Sequence, residues 1–269
     1  MTFKELTGII EEISSLNHVG TTIIGESVRG RPIYAFHIGE YQVPQIIITA
    51  AIHAREWITA LLVIELIKLY RTQELSCGIY FVPLCNPDGV EIALDTNHPL
   101  HDPLWKANAH SVDLNVNFDA DWGTGAQNSR VPGAENFIGP HPQSEPEVQA
   151  LVNFTRTINP SVTIAYHSKG EVIYYGFEPL DGRTSQEQIQ RDHDLAQKIG
   201  KITGYTPIKT ENSAGGYSDW VSMHFGVPAL TIEVGCDTLS HPIGVDKIPV
   251  ILSQNIKVPK VLQDYIIKS

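Results

Sequence analysis

The sequence is short of cations. Nineteen lysines and arginines stand against thirty aspartates and glutamates in 269 residues, for a formal net charge of −11. A nucleic-acid surface needs a basic patch, so that class of partner is excluded. Long apolar runs are missing too: nothing approaches the roughly 18 consecutive apolar residues of a membrane span. Cysteine is scarce, with only Cys77, Cys85 and Cys236. An odd count without metal-type spacing argues against a disulfide framework and against a cysteine zinc cluster. Free structural thiols in a reducing compartment fit that count, with a Cys77–Cys85 pair across one turn as the alternative. The opening Met1-Thr2-Phe3-Lys4-Glu5-Leu6 has one base and an early acid, unlike a secretory signal, so a cytoplasmic location is expected. Repeats and linker-like tracts are also lacking, and one domain over residues 1–269 is expected.

What is present is an ordinary globular balance, 42% hydrophobic and 18% charged, enough to bury a sizeable core. Helical and strand patterns alternate along the chain, which predicts an α/β fold with a mixed or parallel sheet and helices on both faces. Residues 3–16 read as an amphipathic helix, followed by strands at 20–25 and 31–38 around a turn at 27–32. Strand 45–52 leads into a long helix over 55–72. Strand 78–84 precedes Asn86-Pro87-Asp88-Gly89, which reads as a turn. Residues 95–142 have little periodicity, and so long an irregular stretch inside a domain usually carries function. Helix 144–158, strands 161–166 and 172–175, and helix 184–203 come next. A loop over 205–217, helix 218–225, strand 228–234 and helix 247–267 complete the reading.

Chemistry gathers where buried strands end. The apolar run Ile46–Ile52 ends at His53, with Glu56 three residues on. About one helical turn separates the two, so both can converge on one ion, and zinc favours nitrogen and carboxylate donors. His167 follows Val162–Tyr166, and Glu233 ends Pro228–Ile232. In open α/β sheets, ligand sites lie at the carboxyl ends of strands. Two imidazoles and carboxylates meeting there are what hydrolytic zinc chemistry needs.

With these residues in place, the chain resembles the zinc carboxypeptidase A family, peptidase family M14. The resemblance runs through Gly30-Arg31-Pro32-Ile33-Tyr34, His53-Ala54-Arg55-Glu56-Trp57, Asn86-Pro87-Asp88-Gly89, Val112-Asp113-Leu114-Asn115, His167-Ser168, Gly215–Trp220 and Thr231-Ile232-Glu233, in the family's order. It implies a single domain built on a mixed, mostly parallel eight-stranded sheet flanked by helices. It also implies one Zn2+ per chain, held by His53, Glu56 and His167. By the same resemblance Asp113 orients the first ligand histidine, and Glu233 is the catalytic carboxylate that moves the proton from water to the leaving nitrogen.

Departures from the family pattern bear on the substrate. Trp105 is followed by Lys106 where the family has an arginine for the developing oxyanion. Asn115 remains of the pair that clamps a terminal carboxylate, but the arginine position holds Val116. Glu211 falls where digestive members carry a mobile tyrosine, and Tyr217 is the nearby hydroxyl expected to replace it. Ser218 stands at the floor of the side-chain pocket, and Lys169 replaces a cleft tyrosine. Arg55, Lys106 and Lys169, with Arg130 in the irregular segment, suggest anion contacts for a substrate rich in carboxylates. The wording around Trp105 and Asp113 is similar to a bacterial branch of the family that cuts the γ-D-glutamyl–meso-diaminopimelate bond of cell-wall peptides. A muropeptide is therefore the expected partner. A broad carboxypeptidase on peptide C-termini and an inactive muropeptide-binding protein are the alternatives.

Overall fold

A computed structural model describes residues 1–268. Eight strands form one sheet in the order β1-β2-β4-β3-β5-β8-β6-β7. They are β1 (Gly20–Glu26), β2 (Pro32–Ile38), β3 (Gln45–Ala50), β4 (Gly78–Val82), β5 (Val162–His167), β6 (Val172–Tyr175), β7 (Thr206–Lys209) and β8 (Ala229–Glu233). The pairs β3–β4, β3–β5, β5–β8 and β6–β7 are parallel, and the remaining three are antiparallel. The sheet is thus mixed and mostly parallel, as expected.

Its centre is buried on both faces, which explains the uninterrupted apolar runs. Side chains alternate along a strand, so Ile46 and Ile48 enter one core and Ile47 the other. The larger core packs against α1 (Phe3–Ile13), α2 (Ile58–Tyr70), α3 (Pro87–Leu94), α5 (Gln186–Thr203), α7 (Ile248–Asn255) and α8 (Val258–Lys268). The smaller core lies under α4 (Pro146–Ile158) and α6 (Tyr217–Phe225). Cys77 joins the first core and Cys85 the second, so the two thiols are separated by the sheet; all three cysteines are free.

Several elements differ from the sequence reading. Asn86-Pro87-Asp88-Gly89 opens helix α3 instead of making a turn: Asn86 caps it by accepting from the Gly89 N–H at 3.0 Å, and Pro87 occupies the first turn, where its missing N–H costs nothing. The segment 205–217 contains β7, a four-residue edge strand that tolerates Pro207 because an edge leaves one side of its backbone unpaired. The closing helix is broken between Asn255 and Val258, where Pro259 can stand only in the first turn of a new helix. No described helix is long and apolar enough to cross a membrane.

Candidate metal centre and cleft

Sheet register assembles the centre. Parallel pairing aligns Ala50 with Tyr166 and His167 with Glu233, so β3, β5 and β8 end at one edge. His53 lies just beyond β3, and Ala54–Glu56 form a 3₁₀ turn, not the start of an α-helix. Residues three apart eclipse in such a turn, which brings His53 Nδ1 within 2.9 Å of Glu56 Oε1. His167 Nδ1 is 3.0 Å from Glu56 Oε2 and 3.2 Å from His53 Nδ1. Thr59 holds the turn in place, receiving the Ala51 N–H and donating to the Glu56 carbonyl. All three side chains are buried.

These donors suit a zinc ion. Tetrahedral bonds of about 2.0–2.1 Å set ligand atoms roughly 3.3 Å apart, close to the spacing found here. Two ring nitrogens facing one carboxylate at such distances also form a cradle of lone pairs. Glu56 is held well below the usual carboxylate range: burial works against its ionisation, but both histidines outweigh it. On the far side of His53, Nε2 is 3.2 Å from Asp113 Oδ1, which fixes the tautomer that leaves Nδ1 free to bind. Asp113 is buried and held down in pKa, burial being outweighed by His53 and Lys106.

The irregular segment is anchored from below. Asn86 Nδ2 donates to the carbonyls of Ile52 and Ala107, tying the end of β3 to the loop that carries Lys106. Buried Asp88 accepts from Arg31 and from the Arg29 N–H. Asn108 spans the buried carboxylates of Glu145 and Glu147.

A cavity of about 480 Å³ opens beside the cluster, lined by His53, Lys106, Asp113, Asn115, Ser218 and Glu233 among others. Glu233 Oε2 is buried and lacks a hydrogen-bond partner among the described residues. Burial first, and then the charge of Glu56, push its carboxyl up to about 8. Ser218 Oγ lies 2.9 Å from Thr231 Oγ1 on the cavity wall, and Asn115 Oδ1 accepts the Tyr217 N–H.

Other expected contacts are placed differently. Tyr217 does not supply a cleft hydroxyl: it is buried in the smaller core, its OH 2.9 Å from Thr155 Oγ1 and its ring against Phe118. Its place at the start of α6 turns the side chain toward α4 and away from the metal cluster. Arg130 stacks over the Trp122 ring at 4.9 Å and is not among the cavity's lining residues. The expected cations are already engaged: Arg55 with Glu135 at 3.0 Å, Lys169 with Asp237 at 3.1 Å, and Lys106 with Asp113 at 2.7 Å and Asn136 at 2.5 Å. Tyr174, on β6 opposite Thr231, is a lining hydroxyl the sequence reading did not single out. Strand alternation offered the signal, since Tyr174 is two residues from Val172, the register partner of Glu233.

Comparison with known proteins gives the family. The family described as zinc carboxypeptidase, Peptidase_M14, matches residues 9–242. The chain is 33% identical over 253 residues to "Gamma-D-glutamyl-L-diamino acid endopeptidase 1" of Lysinibacillus sphaericus, covering 82% of this chain and 62% of that protein. Carboxypeptidase A2 of Rattus norvegicus is 27% identical over 246 residues, covering 81% of this chain and 57% of that one. The chain thus spans about three fifths of the length of these relatives. Bovine thrombin-activatable fibrinolysis inhibitor, solved with a tick carboxypeptidase inhibitor, shares the fold with a TM-score of 0.84 at 21% identity, covering all of this chain and 97% of that one. The chain belongs to the zinc carboxypeptidase family, Peptidase_M14.

Proposed function

We propose that the protein is a zinc peptidase that hydrolyses the bond between a γ-D-glutamyl residue and a diamino acid, meso-diaminopimelate, in peptides derived from cell walls. The convergence of His53, Glu56 and His167 beside an unpartnered Glu233 carboxylate is the observation that carries the chemistry. The substrate class rests on the relative named for γ-D-glutamyl-L-diamino acid cleavage and on Val116, which gives a terminal carboxylate no cation.

In this reading His53, Glu56 and His167 hold the metal, which when bound supplies a water of lowered pKa and an electrophile for the scissile carbonyl. Glu233 takes the water's proton and delivers it to the departing nitrogen. Its position on the cavity wall, with Oε2 lacking a hydrogen-bond partner among the described residues, suits a group that must accept a proton and then give it up. Asp113 holds the His53 ring in the binding tautomer. Lys106, on the cavity wall with Asp113 and Asn136 as its partners, is the cation that would face the oxygen that gains negative charge. Asn115 and Ser218 offer neutral hydrogen bonds to the substrate, and Arg55 and Lys169 can reach it only by exchanging their acid partners.

The test is incubation of zinc-loaded protein with L-Ala-γ-D-Glu-meso-diaminopimelate and, separately, with N-blocked dipeptides ending in L-Phe or L-Lys. Release of diaminopimelate, abolished by chelator, is the expected result. Cleavage of the α-linked dipeptides alone would replace this reading with a broad carboxypeptidase. Binding of the tripeptide without any cleavage would make the protein a muropeptide receptor.

A further inference from the structure

Charge inside the cavity is arranged against a ligand that presents only carboxylates to it. Tyr174 aside, the ionisable side chains lining it are His53, Lys106, Asp113, Glu211, Asp219 and Glu233. Lys106 is the one ammonium among these described residues, and Asp113 neutralises it at 2.7 Å. Asp219 is buried, its Oδ2 accepting from Ser213 Oγ at 2.7 Å and the Gly216 N–H at 3.1 Å. Glu211 is different. It is exposed at the cavity and has no hydrogen bond or ion pair among the described residues.

The same lining carries hydroxyls, from Tyr174, Thr210, Ser213, Ser218 and Thr231, and amides from Asn115, Asn128 and Asn136. Such a wall has polar groups to orient a side chain that itself ends in a polar group. An unpaired carboxylate in a concavity focuses negative potential and raises the local concentration of cations.

We propose that Glu211 is a specificity-determining residue that holds the side-chain ammonium of the amino acid released by cleavage. The proposal rests on the peptidase reading above and sharpens it: the diamino acid is selected by its second amine. At the distal centre of meso-diaminopimelate the ammonium faces Glu211, and the neighbouring carboxylate is left to the hydroxyl wall. The same acid, in a cavity that Val116 also lines, opposes a bare terminal carboxylate there.

The experiment compares zinc-loaded wild type, Glu211→Gln and Glu211→Lys on L-Ala-γ-D-Glu-X, with X as L-lysine or L-norleucine, which differ chiefly by the ammonium. Wild type is expected to favour lysine by about tenfold in kcat/KM, the usual order for one charge-assisted hydrogen bond, with most of the difference in KM. The ratio should fall to near one in Glu211→Gln and drop below one in Glu211→Lys, with melting temperatures matching wild type. A well-folded Glu211→Gln protein that keeps the wild-type ratio overturns the proposal. Should no γ-glutamyl substrate be cleaved, the peptidase reading fails separately, and the lysine-to-norleucine ratio is measured on N-blocked α-linked dipeptides. There, too, a ratio insensitive to Glu211 overturns the proposal.

Discussion

Asp113 Oδ1 meets His53 Nε2 at 3.2 Å, while the opposite nitrogen of the same ring faces Glu56. A carboxylate so placed keeps the proton on Nε2 and strengthens Nδ1 as a donor. Asp113→Asn should therefore weaken zinc binding by about 10- to 100-fold, as loss of such supporting carboxylates usually does. Competition against a chromophoric chelator measures it, and wild-type affinity in the variant would show that the contact is dispensable.

Glu233→Gln separates metal binding from turnover. The amide keeps the size of the side chain but cannot take a proton, so kcat should fall by at least about 100-fold. Zinc content, read by elemental analysis, should stay near one per chain. Activity retained by the zinc-loaded variant would remove Glu233 from the proposed mechanism.

The same carboxyl gives the metal-free protein a pH dependence. Its folded-state pKa is raised to about 8, by burial first and by Glu56 next, from an ordinary 4.5. Between those values the folded chain keeps a proton that the unfolded chain releases, so stability falls as pH rises across the window. Metal-free Glu233→Gln should then melt above the metal-free wild type at pH 8, with a smaller gain at pH 5. Thermal scans at the two pH values decide it, and an equal gain at both would contradict the sign.

The convergence of His53, Glu56 and His167 was legible because local sequence fixes each of them. His53 and Glu56 are joined by one tight turn, and His167 and Glu233 end apolar strands whose parallel register aligns them. Contacts between loops were not legible. The partners of Arg55, Lys106 and Lys169 lie in irregular segments that no periodicity places. Tyr217 was misassigned for a related reason: sequence brings it near the cleft, but packing of α6 on α4 decides which way its hydroxyl turns. Helix α3 was hidden because Asn-Pro-Asp-Gly serves equally as a turn and as a helix start.

Tyr217→Phe tests that correction. The phenol's hydrogen bond is to Thr155 in the core, so its loss should cost about 1 kcal/mol of stability. With no atom on the cavity wall, the residue should leave kcat within about twofold, far less than loss of a group that stabilises the reacting atoms. Denaturant unfolding and steady-state kinetics read the two effects. A large fall in kcat with unchanged stability would return Tyr217 to the reaction.

Lys106 has two possible duties that predict opposite changes in the metal. Its ammonium lies 2.7 Å from Asp113 Oδ2, and it also lines the cavity. If it stabilises charge developing on the substrate, Lys106→Met should lower kcat by about 100- to 1,000-fold with little change in KM. Removing the cation also leaves Asp113 more strongly negative toward His53, which makes Nδ1 the better donor. Zinc should then bind at least as tightly as in wild type while turnover collapses. Weaker zinc binding together with a proportionate loss of activity would instead make Lys106 a support for Asp113, with no part of its own in the chemistry.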